Sequence, residues 1–138
     1  MPDQRIKGLL VEDEATHARL FERNVRRLNI PFQFDMVSDG GAAVEYLKAH
    51  ADKLSPDSFV LVLDLKLPVK NGFEVLEFMR GDARLRDLKV IVLTTSDDPH
   101  DVARASELGI KHHLIKPIDF EQFGNLLRQI MPAGVDQA

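Results

Sequence analysis

An unbroken apolar run that ends in an aspartate constrains the fold of this chain more than any other feature. Residues 59–63 read Phe-Val-Leu-Val-Leu, and Asp64 follows directly. A run of this kind predicts a strand buried on both faces of a parallel sheet. Open parallel sheets bind ligands at the carboxyl ends of their strands, so Asp64 is predicted to lie at the ligand edge. The simpler alternative is that Asp64 only caps the turn or helix that follows, since Pro68 and Asn71-Gly72 punctuate a loop there.

The rest of the chain alternates between strand and helix patterns. Strands are predicted at residues 6–11, 32–37, 59–63, 88–93 and 112–115. Helices follow each of them, at 15–28, across Ala43, Val44 and Leu47, at 73–80, at 99–108 and from 120 to about 131. Asp98 and Asp119 are placed as N-caps, and Gly109 as a C-terminal cap. Without a linker or repeat, this alternation predicts one domain over residues 1–138, a five-stranded parallel sheet covered by helices on both faces.

Composition excludes several functions for a chain of this length. The 138 residues carry a net charge of -4 and no basic run longer than two residues, which argues against nucleic acid and anionic membranes as partners. The chain has no Cys, which excludes disulfides and thiolate metal sites. No apolar segment has the length of a membrane span or the form of a signal peptide, so we expect a cytoplasmic protein.

Polar groups of chemical interest follow four of the predicted strands. They are Glu12-Asp13 after the first, Asp64 after the third, Thr94-Thr95 after the fourth and Lys116 after the fifth. The carboxyl ends of parallel strands share one edge, so these groups should converge, and three carboxylates in one place repel each other unless a cation is bound. Oxygen ligands favour Mg²⁺, with Mn²⁺ or Ca²⁺ as substitutes. With a lysine and a hydroxyl nearby, the cluster is typical of a site that handles phosphoryl groups.

These residues resemble the receiver domain of two-component response regulators over residues 5–131. The resemblance depends on the acidic pair after strand one, the Asp64-x-x-x-Pro68-x-x-x-Gly72 spacing, Thr94 and Lys116-Pro117. It implies a flavodoxin-like (βα)5 doubly wound sheet with strand order 2-1-3-4-5. It also implies that Asp64 accepts a phosphoryl group from a sensor histidine kinase in phosphorelay signal transduction.

The resemblance further implies a role for each site residue. Mg²⁺ would be held by Asp13, Asp64 and the backbone carbonyl of Lys66, with Glu12 acting through water. Thr94 and Lys116 would contact the phosphoryl oxygens, and Pro117 permits a cis bond that would aim Lys116 inward.

Three positions depart from the family pattern. Lys66 is larger than the usual residue, and its ammonium either reaches the phosphoryl group or is a solvated loop lysine. Thr95 stands where a very small residue is common, which would narrow access to the phosphoryl group. His113 replaces the aromatic residue that many receivers pair with the Thr94 position as a switch, so a conventional aromatic switch is in doubt.

Other readings of the same site are weaker. A phosphatase with an Asp nucleophile would have a second Asp at position 66, where this chain has Lys66. A flavin-binding domain would have a phosphate loop after strand one, where this chain has Glu12-Asp13-Glu14. A pseudo-receiver would lack part of the acidic set. We therefore expect a signalling domain that at most catalyses its own phosphorylation and dephosphorylation.

Partner surfaces are also indicated. Leu20 lies about 100° from the apolar face of helix one, so it should be exposed, as a lone surface leucine or as part of a kinase-docking surface. The last helix has an apolar arc wider than one sheet requires, which leaves Leu126 and Met131 for a homodimer unless neighbouring helices cover them. Within the family, the chain looks like the stand-alone regulators of bacterial phytochromes, which implies a bacteriophytochrome kinase as partner.

Overall fold

Strands and helices alternate along the chain in the computed structural model, which describes residues 6–67, 69–94 and 99–131. The strands are β1 (Ile6–Val11), β2 (Phe32–Val37), β3 (Phe59–Asp64), β4 (Lys89–Thr94) and β5 (His112–Ile115). The α-helices are α1 (Ala15–Arg27), α2 (Gly40–His50), α3 (Gly72–Arg80), α4 (Pro99–Glu107) and α5 (Phe120–Ile130). A single 3₁₀ turn at Ala51–Lys53, which the sequence did not predict, follows α2.

The strands form one parallel sheet in the order β2-β1-β3-β4-β5, as predicted. Val11 is aligned with Leu63, Asp64 with Leu93, and Thr94 with Ile115. This register brings the carboxyl ends of β1, β3, β4 and β5 to one edge. The residues that follow those strands are therefore neighbours in space.

The sheet is covered on both sides, and β3 lies at its centre. All six residues of β3 are buried, which explains the unbroken apolar run. Leu61 and Leu63 pack in a core with α2, α3 and α4, whereas Val60 and Val62 pack in a second core with α1 and α5. Burial of one such large side chain stabilises the fold by about 1.5–3 kcal/mol. The doubly wound architecture is confirmed.

Helix ends follow local side-chain chemistry. The Asp119 side chain caps α5 by accepting hydrogen bonds from the N–H groups of Glu121 and Gln122, as predicted. Gly109 has a φ of 88°, a conformation that favours glycine, just beyond α4. Asn71 caps α3 through a reciprocal capping box with Glu74. The predicted cap at Asp98 lies outside the described residues.

One prediction about the last helix, α5, is wrong. Met131 is only 1% exposed and packs in the second core, so the expectation that it faces a partner is wrong. On the same side, the Leu28 side chain lies so close to Gly124 that an added Cβ would come within 3.3 Å of it. The end of α1 therefore covers part of the wide apolar arc. Leu126 is half-buried, and Leu20 is 46% exposed, as predicted.

No helix among the described residues combines the length and apolar character needed to cross a membrane.

Candidate functional site

Three carboxylates converge at the carboxyl edge of the sheet. Glu12 and Asp13 follow β1, and Asp64 ends β3; one oxygen from each lies within 4.8 Å of the others. Glu12 and Asp64 are each 5% exposed, while Asp13 is open to solvent. The predicted convergence of the acidic residues is confirmed.

Lys116 joins two of these carboxylates. Its Nζ donates to Glu12 Oε1 at 2.5 Å and to Asp64 Oδ2 at 2.7 Å. Burial alone would lower the pKa of Lys116, but the hydrogen bonds and negative charges of Asp64 and Glu12 outweigh it and raise that pKa. The ammonium therefore stays charged beside the acidic cluster. The Lys116–Pro117 peptide bond is cis, as expected.

The backbone after β3 holds the Asp64 side chain from the other side. The N–H of Lys66 donates to Asp64 Oδ1 at 2.9 Å, so each carboxylate oxygen has a donor. The N–H of Gly72 donates to the carbonyl of Leu65 at 2.9 Å and closes the loop. A Cβ on Gly72 would lie 2.7 Å from Leu65 Cα and 2.8 Å from the Asp64 carbonyl oxygen. This close approach explains why the spacing from Asp64 ends in glycine.

Thr94 approaches the site from β4. It is 2% exposed, and its backbone carbonyl accepts a hydrogen bond from the N–H of Lys116 at 2.8 Å. Beside it lies a cavity of about 300 Å³ between β4, β5 and α4, which Leu65 and His113 also line. His113 itself is exposed, as is the side chain of Lys66. Thr95, the predicted second hydroxyl, lies outside the described residues.

The sequence analysis missed one neighbour of the cluster. His17 was not predicted to belong to the site, yet its Nδ1 lies 3.8 Å from Glu12 Oε1. The sequence could have indicated this contact, because residue 17 falls in the first turn of a predicted helix that begins just after the acidic pair.

The donor set fits a hard divalent cation. Every candidate ligand is a carboxylate or carbonyl oxygen, the donor type preferred by Mg²⁺, Mn²⁺ and Ca²⁺. Among the described residues, these three carboxylates share the site with one partly buried ammonium, that of Lys116, which leaves an excess of negative charge for a cation to neutralise.

A parallel sheet in this order, with acidic residues and a lysine at its carboxyl edge, is the architecture of CheY-like signalling domains. The chain belongs to the response regulator receiver domain family, whose model matches residues 9–128. It is therefore a receiver-domain response regulator of two-component signalling.

Three relatives show the range of similar proteins. A probable methanogenesis regulatory protein, FilR2 of Methanothrix harundinacea, is 38% identical over 88% of this chain and 79% of its own length. The response regulator Rcp1 of Synechocystis is 32% identical over 88% of this chain and 84% of its own. A Mn²⁺-bound structure of Rcp1 matches with a TM-score of 0.74, covering 96% of both chains. The bacteriophytochrome response regulator RtBRR matches with a TM-score of 0.78 and 32% identity, covering 91% of this chain and 78% of that one.

Proposed function

We propose that Asp64 is the phosphoacceptor of this receiver and that a sensor histidine kinase supplies the phosphoryl group. The observation that carries the proposal is the environment of Asp64. Its carboxylate is almost fully buried at the end of the central strand, and a backbone N–H and the Lys116 ammonium each hold one oxygen. This arrangement orients a nucleophile at the edge where open parallel sheets bind ligands.

In the transfer step, one Asp64 oxygen forms a bond to phosphorus as the P–N bond of the kinase phosphohistidine breaks. The electron pair of that bond stays on the imidazole nitrogen, which takes up a proton. The Lys116 ammonium neutralises charge on the phosphoryl oxygens, and the Thr94 hydroxyl donates a hydrogen bond to them. Thr95 and the Lys66 ammonium are further candidates for these contacts.

Asp13, Asp64 and the Lys66 carbonyl would hold Mg²⁺ directly, and Glu12 would hold it through water. Bound Mg²⁺ supplies positive charge that offsets repulsion between the acceptor carboxylate and the phosphoryl oxygens. Mn²⁺ shares this preference for oxygen ligands and would substitute for Mg²⁺, and the related Rcp1 binds Mn²⁺ in its solved structure.

The acceptor assignment is tested by intact mass after incubation with a small phosphodonor and Mg²⁺. We expect one added phosphoryl group in the parent protein and none in Asp64→Asn, because the amide is a poor nucleophile with nearly the same shape. Equal labelling of the Asn variant would show that Asp64 is not the acceptor.

The same assay tests the metal. Excess chelator and, separately, Asp13→Ala should each reduce labelling at least tenfold, because chelator removes the cation and Asp13→Ala removes one of the ligands that would hold it. Full labelling in chelator would exclude a divalent ion from the reaction.

We also propose that Leu20 belongs to the kinase-docking surface and that the kinase is a bacteriophytochrome. Leu20 is exposed on α1, the helix that begins next to the acidic cluster. Its apolar side chain has no role in the cores, and the similarity to RtBRR supports the choice of kinase.

Leu20→Glu should slow transfer from a bacteriophytochrome kinase at least tenfold and leave labelling by the small phosphodonor unchanged. The neighbouring exposed residue gives the control, Arg19→Glu, which adds a carboxylate without removing an apolar contact. Equal slowing with both phosphodonors would mean that the substitution damages the site and not a docking surface.

Phosphorylation would alter partner binding through β4, β5 and α4. Thr94 and His113 line the same cavity, so we infer that they form the switch pair, with His113 in place of an aromatic ring. We further propose a homodimer through the half-buried Leu126 of α5; Ile115, 49% exposed on the edge strand β5, is a second candidate contact.

A further inference from the structure

A second cavity lies far from the acidic site. It has a volume of about 760 Å³ and opens at the amino-terminal edge of the sheet, where Lys89 begins β4 and His112 begins β5. The five residue steps of β4 separate Lys89 from Thr94 by about 17 Å. Small-molecule sites commonly have volumes of about 300–1,000 Å³.

The floor of this cavity is apolar. It combines side chains from the end of α3, the start of β4 and the turn after α4: Leu76, Met79, Leu88, Val90, Leu108 and Ile110. These side chains offer an apolar surface on which a planar or apolar group could pack.

The rim of the cavity is strongly basic. Arg80, Arg86, Lys89 and Lys111 line it, and Asp87 is the one carboxylate among the lining residues. The whole chain carries a net charge of -4, so this rim is positively charged on a protein that is negatively charged overall. Such a cluster raises the local concentration of anions.

These cations are not paired with carboxylates within the part of the chain that the structure describes. No ion pair there includes any of the four. Arg80 donates a hydrogen bond to the backbone carbonyl of Glu107 at 3.3 Å, which orients its guanidinium without cancelling its charge. The rim is therefore available to an external anion.

The pKa of His112, another lining residue, is lowered in part by the positive charges around the cavity. Burial, and then the charges of Lys111 and Lys89, lower the pKa of its imidazole. A bound anion would oppose those two charges and raise that pKa again.

We propose that this cavity binds a phosphate monoester that carries a planar base, with a nucleoside monophosphate as the representative ligand. The phosphate would lie between Lys89 and Lys111, and the base would lie on the apolar floor. A phosphate dianion matches several cations better than a single carboxylate does. This site is separate from Asp64 and does not depend on the function proposed for it.

The test is a calorimetric titration of the full chain with AMP, in chelator so that no metal links phosphate to the acidic cluster. We expect saturable binding that weakens at least tenfold in the Lys89→Gln/Lys111→Gln double variant. The Arg23→Gln/Arg27→Gln variant on α1 removes the same charge elsewhere and should change affinity less than twofold. Labelling of Asp64 by a small phosphodonor should be the same in all three proteins.

Adenosine, inorganic phosphate and hexaglutamate are the comparison ligands. Each should bind at least tenfold more weakly than AMP, because each lacks the base, the phosphate or both. A proton titration of His112 by NMR should show its pKa rise on adding AMP in the parent protein and not in the Lys89/Lys111 variant.

Absence of saturable AMP binding, or equal binding by the Lys89/Lys111 variant, would overturn the proposal. Equal affinity for inorganic phosphate would overturn the contact with the base. Tighter binding of hexaglutamate would replace the small ligand with an acidic protein segment.

Discussion

The pKa values of two side chains in this protein are shifted by residues that are distant in sequence. Lys116 is held charged by Glu12 and Asp64, which belong to other strands. Tyr46, the chain's one tyrosine, donates its hydroxyl to Asp35 Oδ2 at 2.8 Å. Burial, and then the hydrogen bond and charge of Asp35, raise the pKa of Tyr46 to about 12. Neither shift follows from the residues adjacent in sequence.

The pKa of Tyr46 can be measured directly by absorbance, because Tyr46 is the one tyrosine in the chain and tyrosinate absorbance therefore comes from it alone. The native protein should titrate with a midpoint near 12, and Asp35→Asn should move it toward the ordinary value of about 10. A raised folded pKa stabilises the fold below the unfolded pKa, so this contribution should fall as the pH rises from about 10 to about 12.

Absorbance after a rapid pH jump, before unfolding, measures the native midpoint. The denatured chain is the reference and should titrate near 10. A native midpoint equal to that of the denatured chain would show that the contact with Asp35 does not form.

At the level of elements, two glycines, Gly72 and Gly40, shape the loop after β3. Asn71-Gly72 predicted a turn, and the structure supplies the reason, since Gly72 lies against the backbone of Leu65. Gly40, at the start of α2, approaches the same loop. A Cβ on Gly40 would lie 1.9 Å from the Lys70 carbonyl oxygen, which is backbone and cannot swing aside.

We therefore predict that Gly40→Ala lowers the free energy of unfolding by about 1–3 kcal/mol, the usual cost of forcing atoms into a packed site. Gly81→Ala is the matched control. An added Cβ there makes ordinary contacts at 3.5 and 3.8 Å, and the backbone φ of -78° suits alanine. That variant should be neutral or more stable by up to about 1 kcal/mol.

Urea unfolding of both variants measures the difference. Equal stability of Gly40→Ala and the parent protein would mean that the loop around Lys70 moves away at no cost.

For the whole molecule, the exposure of α5 bears on the proposed homodimer. Helical periodicity alone makes the apolar arc of α5 wider than one sheet needs. In the folded chain, α1 covers the side at Gly124, and Met131 turns into the core. Leu126 stays half-buried at the other side of the arc, so it is the position that we assign to a dimer through α5.

We predict that Leu126→Glu weakens dimerisation at least tenfold, because a carboxylate at an apolar contact must be desolvated without a partner. Gln129→Glu adds the same charge at an exposed position of α5 and should leave the dimer unchanged. Light scattering across a concentration series, with and without a small phosphodonor, measures both.

A parent protein that stays monomeric at every concentration would refute the dimer. A dimer that survives Leu126→Glu would place the interface elsewhere, with Ile115 on β5 as the next position to test.

The sequence by itself determined the order of strands and helices, the central position of β3 and the edge at which the acidic residues meet. These follow from local periodicity and from one rule of parallel sheets, that carboxyl ends share an edge. Asp64, Asp13 and Lys116 could be placed at one site because each lies at or just after the carboxyl end of a strand.

The tertiary structure decided what covers each surface. The burial of Met131, the contact of His17 with Glu12 and the basic cavity around Lys89 all depend on segments that are distant in sequence. Periodicity shows which face of an element is apolar, but burial depends on every neighbour that packs against that face. Those neighbours are known only once the chain is folded.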